Sequence, residues 1–359
     1  MVNISYIFTF HYAFNFGAFL QTYALKSSVN GAKIANLSKT FKIDYKTCVG
    51  NNCKKYIPVF WRVISLYRYM KKKSRLDRKR KLIDYERLDL NPPLLSKSNK
   101  QIHQILDGTT AICGSDQIWN PTFIMGREKI FFAAIANFRK RIAYAASIGM
   151  KEWPNYFKKW AIPKLKNFDA ISVREESAAS YLRSIGFNNV QCVCDPTILH
   201  TGDFYRREFP GAKIPKNEYA FVYKIRERIP EPVQELFADK VITVDLQKKR
   251  TIVSVTDWLG LIDHAKFVVT DSFHCAVFCL LFHKPFIVLP NNSTQQGMNE
   301  RFATLLGKTG LEYRCIGKND SSEEISEKLN APVDWAEVES ILQEWRTYSA
   351  NWLKNALEN

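Results

Sequence analysis

Short apolar runs alternate along the chain with stretches whose apolar residues recur at helical spacing, the pattern of α/β layers. Strands are predicted at Ile4–Phe10, Ala111–Cys113, Ile142–Ala146, Ala170–Val173 and Val190–Cys194. A second group is predicted at Tyr219–Tyr223, Val241–Val244, Phe267–Thr270 and Pro285–Leu289. Helices are predicted over Gly17–Ser28, Glu175–Ile185, Trp258–His264, Ser272–Phe282 and Asp334–Leu357. Between the strand groups, Leu199–Asn217 is polar and carries Gly202, Pro210, Gly211 and Pro215, which marks a domain boundary. The chain is thereby divided into an N-terminal domain over residues 1–200, a linker over 201–217 and a C-terminal domain over 218–333. A closing helix over 334–359 completes the chain, with Val338, Ile341, Leu342, Trp345, Trp352, Leu353 and Leu357 at helical spacing. A terminal helix of that kind is expected to pack back across the domain junction.

At 359 residues the chain suits two domains, and 46% hydrophobic with 24% charged residues is ordinary globular composition, which excludes wholesale disorder. No apolar run approaches the roughly 18–20 residues of a membrane span. The opening MVNISYIFTF has no basic n-region and no A-x-A site, and Asn15 and Gln21 fall where a signal peptide would be uniformly apolar, so a cytoplasmic location is expected. Of the eight cysteines, Cys113, Cys192, Cys194, Cys275 and Cys279 lie in apolar runs, where a free Cys behaves as a small hydrophobe. There is no C-x-x-C and no Cys/His cluster at zinc spacing, so no metal is expected.

Charge changes this picture in one place. The net charge is +17, from 52 Lys and Arg against 35 Asp and Glu. Between Lys54 and Lys81 there are twelve basic residues and one acid, Asp77, so +11 of the excess sits in 28 residues of a basic insert spanning 54–90. The stretch YIPVFWRVISLYRYMKKKSRLDRKRK places Trp61 and its aromatic and aliphatic neighbours before dense cations, among them Arg68, Lys71, Lys72 and Lys73. An interfacial helix with aromatic rings at the headgroups and cations on anionic lipid has this composition. The competing reading is an exposed charged helix packed on its domain through the aromatic side. Nucleic acid is not expected as a partner, because the rest of the chain is not basic enough to form a track.

Candidate chemistry gathers behind the strands. Gly307-Lys308-Thr309 imitates the end of a P-loop, but Phe302 stands where that motif requires Gly. Neither G-x-G-x-x-G nor D-x-D occurs. Instead, polar clusters come after successive apolar runs: Gly114-Ser115-Asp116-Gln117, Ser147-Ile148-Gly149, Arg174-Glu175-Glu176, Asp195-Pro196-Thr197 and Asp271-Ser272-Phe273-His274. Open α/β sheets bind ligands beyond the carboxyl ends of their strands, so these clusters would line a long cleft.

The clusters, together with Asn15-Phe16-Gly17-Ala18-Phe19-Leu20-Gln21-Thr22-Tyr23-Ala24-Leu25 and Asn299-Glu300-Arg301-Phe302, resemble in order the motifs of the polysaccharide pyruvyl transferase family. The resemblance runs from Ile4 to about Leu311. It implies two Rossmann-like domains in a glycosyltransferase-B-like arrangement with the active site in the cleft between them. It also implies transfer of a pyruvyl group from phosphoenolpyruvate to two hydroxyls of a sugar, giving a cyclic ketal without a cofactor. The acceptor so implied is a cell-surface polysaccharide precursor, carried on a polyprenyl diphosphate, which would make sense of docking at the inner face of the membrane. A nucleotide-sugar glycosyltransferase of the same architecture is the alternative enzyme, and a non-catalytic membrane-binding module the third reading.

Residue types can be set against that chemistry. The donor carries a phosphate and a carboxylate, which call for fixed cations and backbone donors. Ketal formation needs one group to protonate the enol carbon and one to take a hydroxyl proton. His274, in the first turn of an apolar helix capped by Asp271 or Ser272, is the first candidate for proton transfer, against the reading of a satisfied core histidine. Asp116 is the candidate to orient or deprotonate the acceptor, or else a turn carboxylate. Arg174, Ser272, Phe273 and Arg301 are the candidates for the donor. Many family members carry Arg where this chain has Ser272, so Arg174 and Arg301 stand as replacements, or as a residue paired with Glu175 or Glu176 and a surface charge respectively. Asn15, Gly17, Ser115, Gln117 and Ser147 are candidates for lining the acceptor side. Asp195-Pro196-Thr197 reads as a turn.

Overall fold

The computed structural model describes residues 4–11, 15–36, 85–90, 97–124, 126–225, 229–231, 233, 241–245, 253–290, 299–317 and 319–359. The membrane-surface candidates Trp61, Arg68, Lys71, Lys72 and Lys73 lie outside them. The chain divides into two units, one of Met1–Val193 with Leu353–Asn359 and one of Cys194–Trp352.

The first unit is built on strands buried almost throughout: β1 Ser5–Phe8, β2 Lys33–Ile34, β3 Thr110–Gly114, β4 Lys140–Ala146, β5 Ala170–Val173 and β6 Gln191–Cys192. Near-continuous apolar runs rather than alternation are what a parallel sheet covered on both faces requires. The sheet is parallel, in the order β2-β1-β3-β4-β5-β6, with Tyr6 opposite both Lys33 and Ala111. Among the described residues the unit's helices are α1 Phe16–Ser28, α2 Asn99–Leu106, α3 Glu128–Phe131, α4 Asn155–Leu165 and α5 Glu176–Ser184. Its core joins Phe8, Trp119, Phe131, Phe132, Trp153 and Phe157, with Trp119 stacked on Phe132 at 5.5 Å. The Trp119 indole donates to Phe131 O (3.1 Å), and Trp153 donates to Trp119 O (2.9 Å), so both buried rings satisfy their polar atom.

In the second unit, β7 Ala220–Lys224, β8 Val241–Asp245, β9 Phe267–Thr270 and β10 Phe286–Val288 form another parallel sheet, in the order β10-β9-β7-β8. Its helices are α6 Gly202–Glu208, α7 Val255–Asp263, α8 Phe273–Leu281, α9 Glu300–Thr309, α10 Ser322–Asn330 and α11 Trp335–Glu358. The last of these ends within the first unit, at Leu353–Asn359. There Lys140 Nζ donates to Ala356 O (3.2 Å) and Leu357 O (3.0 Å), two carbonyls that the helix end leaves open.

Two parallel sheets with helices between strands confirm the α/β class. Residues 201–217, expected as a linker, contain α6, capped by Thr201 Oγ1 accepting from Phe204 N. Strand β2 and helices α2, α3, α4, α9 and α10 are additions to the elements that the apolar pattern predicts. Cys113, Cys192, Cys194, Cys275 and Cys279 are buried thiols. Among the described residues no helix is long and apolar enough to cross a membrane.

Candidate active site

In each sheet the chain reverses its direction of strand addition once, between β1 and β3 in the first unit and between β7 and β9 in the second. Loops diverge at such points, and the crevice beyond the strands' carboxyl ends is where α/β sheets take ligands.

In the first unit, β3 runs out into Ser115 (φ 31°) and Asp116 (φ 62°), two non-glycine residues in the left-handed region. Backbone held there costs about 1–3 kcal/mol per residue and persists where the surroundings enforce it. The surroundings here are hydrogen bonds: Ser115 N donates to Tyr144 O (2.8 Å), Ser147 N to Asp116 O (3.0 Å) and Trp119 N to Ser147 O (3.2 Å). Thr9, just past β1, donates its hydroxyl to Ser115 O (3.1 Å) and receives Gln21 Nε2 (3.0 Å). Gln117 Oε1 accepts from Asn120 Nδ2 (3.0 Å) and closes the turn over Gly149. Ser115, Gln117 and Ser147 are therefore brought together and buried, while Asp116 is half-buried and its Oδ1 accepts from Gln117 N (2.8 Å).

One strand further, Ser147 Oγ donates to Glu175 Oε1 (2.6 Å), and Arg174 Nε donates to the same oxygen (3.3 Å). All three residues are buried. Arg174 thus has a carboxylate beside it in its own unit. Asn15 is the N-cap of α1, its Oδ1 accepting from Gly17 N (2.9 Å) and Ala18 N (3.3 Å). Gly17 is buried in that first helical turn.

In the second unit, Asp271 Oδ1 accepts from Ile225 N (2.6 Å) and ties the end of β9 to the end of β7. The cap of α8 is Ser272, whose Oγ accepts from Cys275 N (3.4 Å). Every residue of α8 is buried, and His274 is its one ionisable imidazole, in the first turn where the helix dipole is positive. The Arg301 guanidinium lies 5.7 Å from the ring centroid of Phe273, and Phe273 packs edge-on against His274 at 5.3 Å. His274 Nε2 is 3.5 Å from Asp195 Oδ2. That carboxylate is fully buried, and its Oδ1 accepts from Thr197 N (3.0 Å) and Thr197 Oγ1 (2.7 Å). So Ser272, Phe273, His274 and Arg301 form one cluster, with Asp195 as a member that sequence reasoning assigns to a turn.

Asp195 is the residue that sequence reasoning leaves as a turn, while Glu175 enters it as an alternative partner of Arg174, the pairing the structure shows. Both stand inside the polar clusters that come after the strands, and the signal available is a carboxylate directly after a buried strand. One strand away from the switch point, Lys224 Nζ is 3.3 Å from Asp245 Oδ2, a cation and a carboxylate at the ends of β7 and β8. Among the described residues, no three His, Cys, Asp or Glu side chains converge as a metal site needs. The arrangement offers a buried carboxylate–imidazole pair, with a guanidinium over the Phe273 ring that packs on the imidazole, which suits proton transfer on an anionic compound.

The family model for polysaccharide pyruvyl transferase matches residues 15–293. No curated protein matches the sequence. Among solved structures, the chain is similar to the UDP-GlcNAc 2-epimerase of Methanocaldococcus jannaschii in complex with UDP-GlcNAc and UDP. That likeness is at 12% identity over 96% of this chain and 99% of that one, with a TM-score of 0.46. A putative UDP-N-acetylglucosamine 2-epimerase from Listeria monocytogenes is 13% identical over 97% of this chain and 93% of that one, with a TM-score of 0.47. A UDP-glucosyltransferase from Polygonum tinctorium is 8% identical over 98% and 97%, with a TM-score of 0.41.

Proposed function

The chain belongs to the polysaccharide pyruvyl transferase family, and from that premise we propose that it moves a pyruvyl group from phosphoenolpyruvate to two hydroxyls of a sugar. The product is a cyclic ketal on a cell-surface polysaccharide precursor, and phosphate is released. The observation that carries this reading is the cluster at α8. An imidazole in the first turn of a buried helix has a carboxylate at Nε2 and a guanidinium over the neighbouring ring.

In this proposal Arg301, the start of α8 at Ser272 and Phe273, and Arg174 take the donor's carboxylate and phosphate. His274 enters as imidazolium and gives a proton to the CH₂ carbon, and the double-bond pair forms the new C–H bond. The first hydroxyl oxygen bonds to C2, and its proton returns to His274. The C2–O bond to phosphate then breaks, the pair leaving with phosphate. The second hydroxyl bonds to C2, and its proton goes to the released phosphate. Asp116 orients the acceptor, with Ser115, Gln117 and Ser147 shaping the same edge of the first sheet. Proton transfer of this kind contributes about 10²–10⁴-fold. No cofactor enters the scheme. The acceptor sits on a polyprenyl diphosphate lipid, and the basic segment 54–81 holds the enzyme at the inner face of an anionic membrane.

The test is phosphate release from phosphoenolpyruvate, with mass spectrometry of the acceptor for one added pyruvyl ketal. Release is expected only with a lipid-linked diol acceptor, without added divalent metal, and not from His274→Ala. Unchanged turnover in that variant would remove His274 from the mechanism. Thermal stabilisation by a nucleoside diphosphate and none by phosphoenolpyruvate would replace the donor assignment with a nucleotide sugar.

A further inference from the structure

Resting on that reading, we infer that Asp195 is the positioning residue of His274: it holds the ring with a proton on Nε2, so that Nδ1 is the atom that exchanges protons with the reactants. Three observations bear on it. First, Nε2 is 3.5 Å from Asp195 Oδ2, longer than an ordinary hydrogen bond but within ion-pair range, and both side chains are buried. Second, Nε2 is sealed from solvent without any hydrogen-bond partner, whereas Nδ1 is not among the atoms that are both sealed and unpartnered. An N–H there would be an orphaned donor but for Asp195, and a bare lone pair would face a carboxylate. Third, Asp195 is held against turning away. Its Oδ1 is fixed by the amide and hydroxyl of Thr197, and Pro196 opens the turn those bonds close.

The consequence for the chemistry is specific. When the imidazolium has given one proton to the donor's CH₂ carbon, a neutral ring remains. With Nε2–H kept against Asp195, the lone pair is on Nδ1, at the atom that has just reacted. That nitrogen then receives the proton of the attacking hydroxyl, and the imidazolium is restored. The opposite tautomer would leave Nδ1 protonated and the lone pair sealed against Asp195, where no hydroxyl reaches.

The test reads the tautomer directly, by long-range ¹H–¹⁵N correlation on the full chain at a pH where the ring is neutral. The His274 signals are those lost in His274→Gln. Wild type is expected as the Nε2–H tautomer. Asp195→Asn retains an oxygen for Thr197 and presents an amide N–H to Nε2, so its ring is expected as the Nδ1–H tautomer. Its kcat for phosphate release should fall about 10²–10⁴-fold with KM changed only a few-fold. Wild-type ring in the Nδ1–H form overturns the inference whether or not the variant folds. So does an Asp195→Asn chain whose tautomer is unchanged, or whose loss lies in KM. The expected tautomer in a chain that consumes no phosphoenolpyruvate would support the hold of Asp195 on His274 and count against the donor instead.

Discussion

Gly149→Ala tests whether the turn after β3 is held by crowding or only by backbone geometry. Gly149 has φ +62°, and a Cβ there would stand 2.6 Å from Gln117 Oε1, 2.8 Å from its Cδ and 2.9 Å from Asn120 Nδ2. The left-handed backbone alone costs an alanine about 1–2 kcal/mol. Forcing a methyl into a packed site costs about 1–3 kcal/mol more, because the Gln117–Asn120 bond must shift. Gly108, in the same unit, has φ +74° and nothing within 4 Å of its would-be Cβ, so Gly108→Ala meets the backbone cost without the crowding. The difference between the two variants isolates the steric part. At about 1.4 kcal/mol per factor of ten, it corresponds to about a 5- to 150-fold difference in exchange protection. A chain of two units need not unfold in one step, so the measurement is hydrogen exchange read over residues 114–124 and 140–149. A second arm repeats Gly149→Ala in a Gln117→Ala background, where the penalty should fall toward that of Gly108→Ala, leaving the contact with Asn120 Nδ2. Equal losses in Gly149→Ala and Gly108→Ala, or no relief from Gln117→Ala, would refute the crowding argument.

Other consequences arise from contacts within single units. Glu175→Gln removes the charge facing buried Arg174 and should destabilise the first unit by about 3–5 kcal/mol, measured by hydrogen exchange of its core strands, with the loss smaller in an Arg174→Met background. Trp119→Ala deletes a fully buried ring and its bond to Phe131 O, at about 3–5 kcal/mol on the same assay. Lys140→Met removes both bonds to the end of α11 and should raise amide exchange over residues 353–359, while exchange in α7 stays unchanged. At Asp257, burial acts to raise the carboxyl pKa but is outweighed by the Lys213 and Ser254 N–H groups and the Ser254 hydroxyl, so it lies below the ordinary value. A carboxylate lowered in the folded state stabilises fully above its unfolded pKa of about 3.9, and that contribution disappears as pH falls through the folded value. Asp257→Asn should therefore cost about 0.5–2 kcal/mol at neutral pH and nothing once the pH is below both values, read from unfolding midpoints across pH.

How much of this the sequence carries depends on how far apart the deciding residues lie. β5 and β9 have the bounds their apolar runs predict, Ala170–Val173 and Phe267–Thr270, because a polar turn closes each run. β2 is two residues long and exists through pairing with Tyr6 and Ile7, so nothing in its own pattern announces it. Helix α6 is masked by its neighbours: Pro210 and Gly211 mark a break, and the capped turn before them has too few residues to show a period. The site divides the same way. Gly114–Gln117 and Thr270–His274 are legible because strand, turn and polar group are contiguous. Asp195 shows the limit, since a turn is the right reading for one of its oxygens: Oδ1 does cap the turn at Thr197. The other oxygen faces a histidine 79 positions later in the chain, and no local rule for an Asp-Pro-Thr turn specifies it. A turn carboxylate has two acceptors, and fixing the first is what aims the second. The structural reading of Asp195 and the functional one are therefore not alternatives. The cap supplies the rigidity that a positioning carboxylate requires.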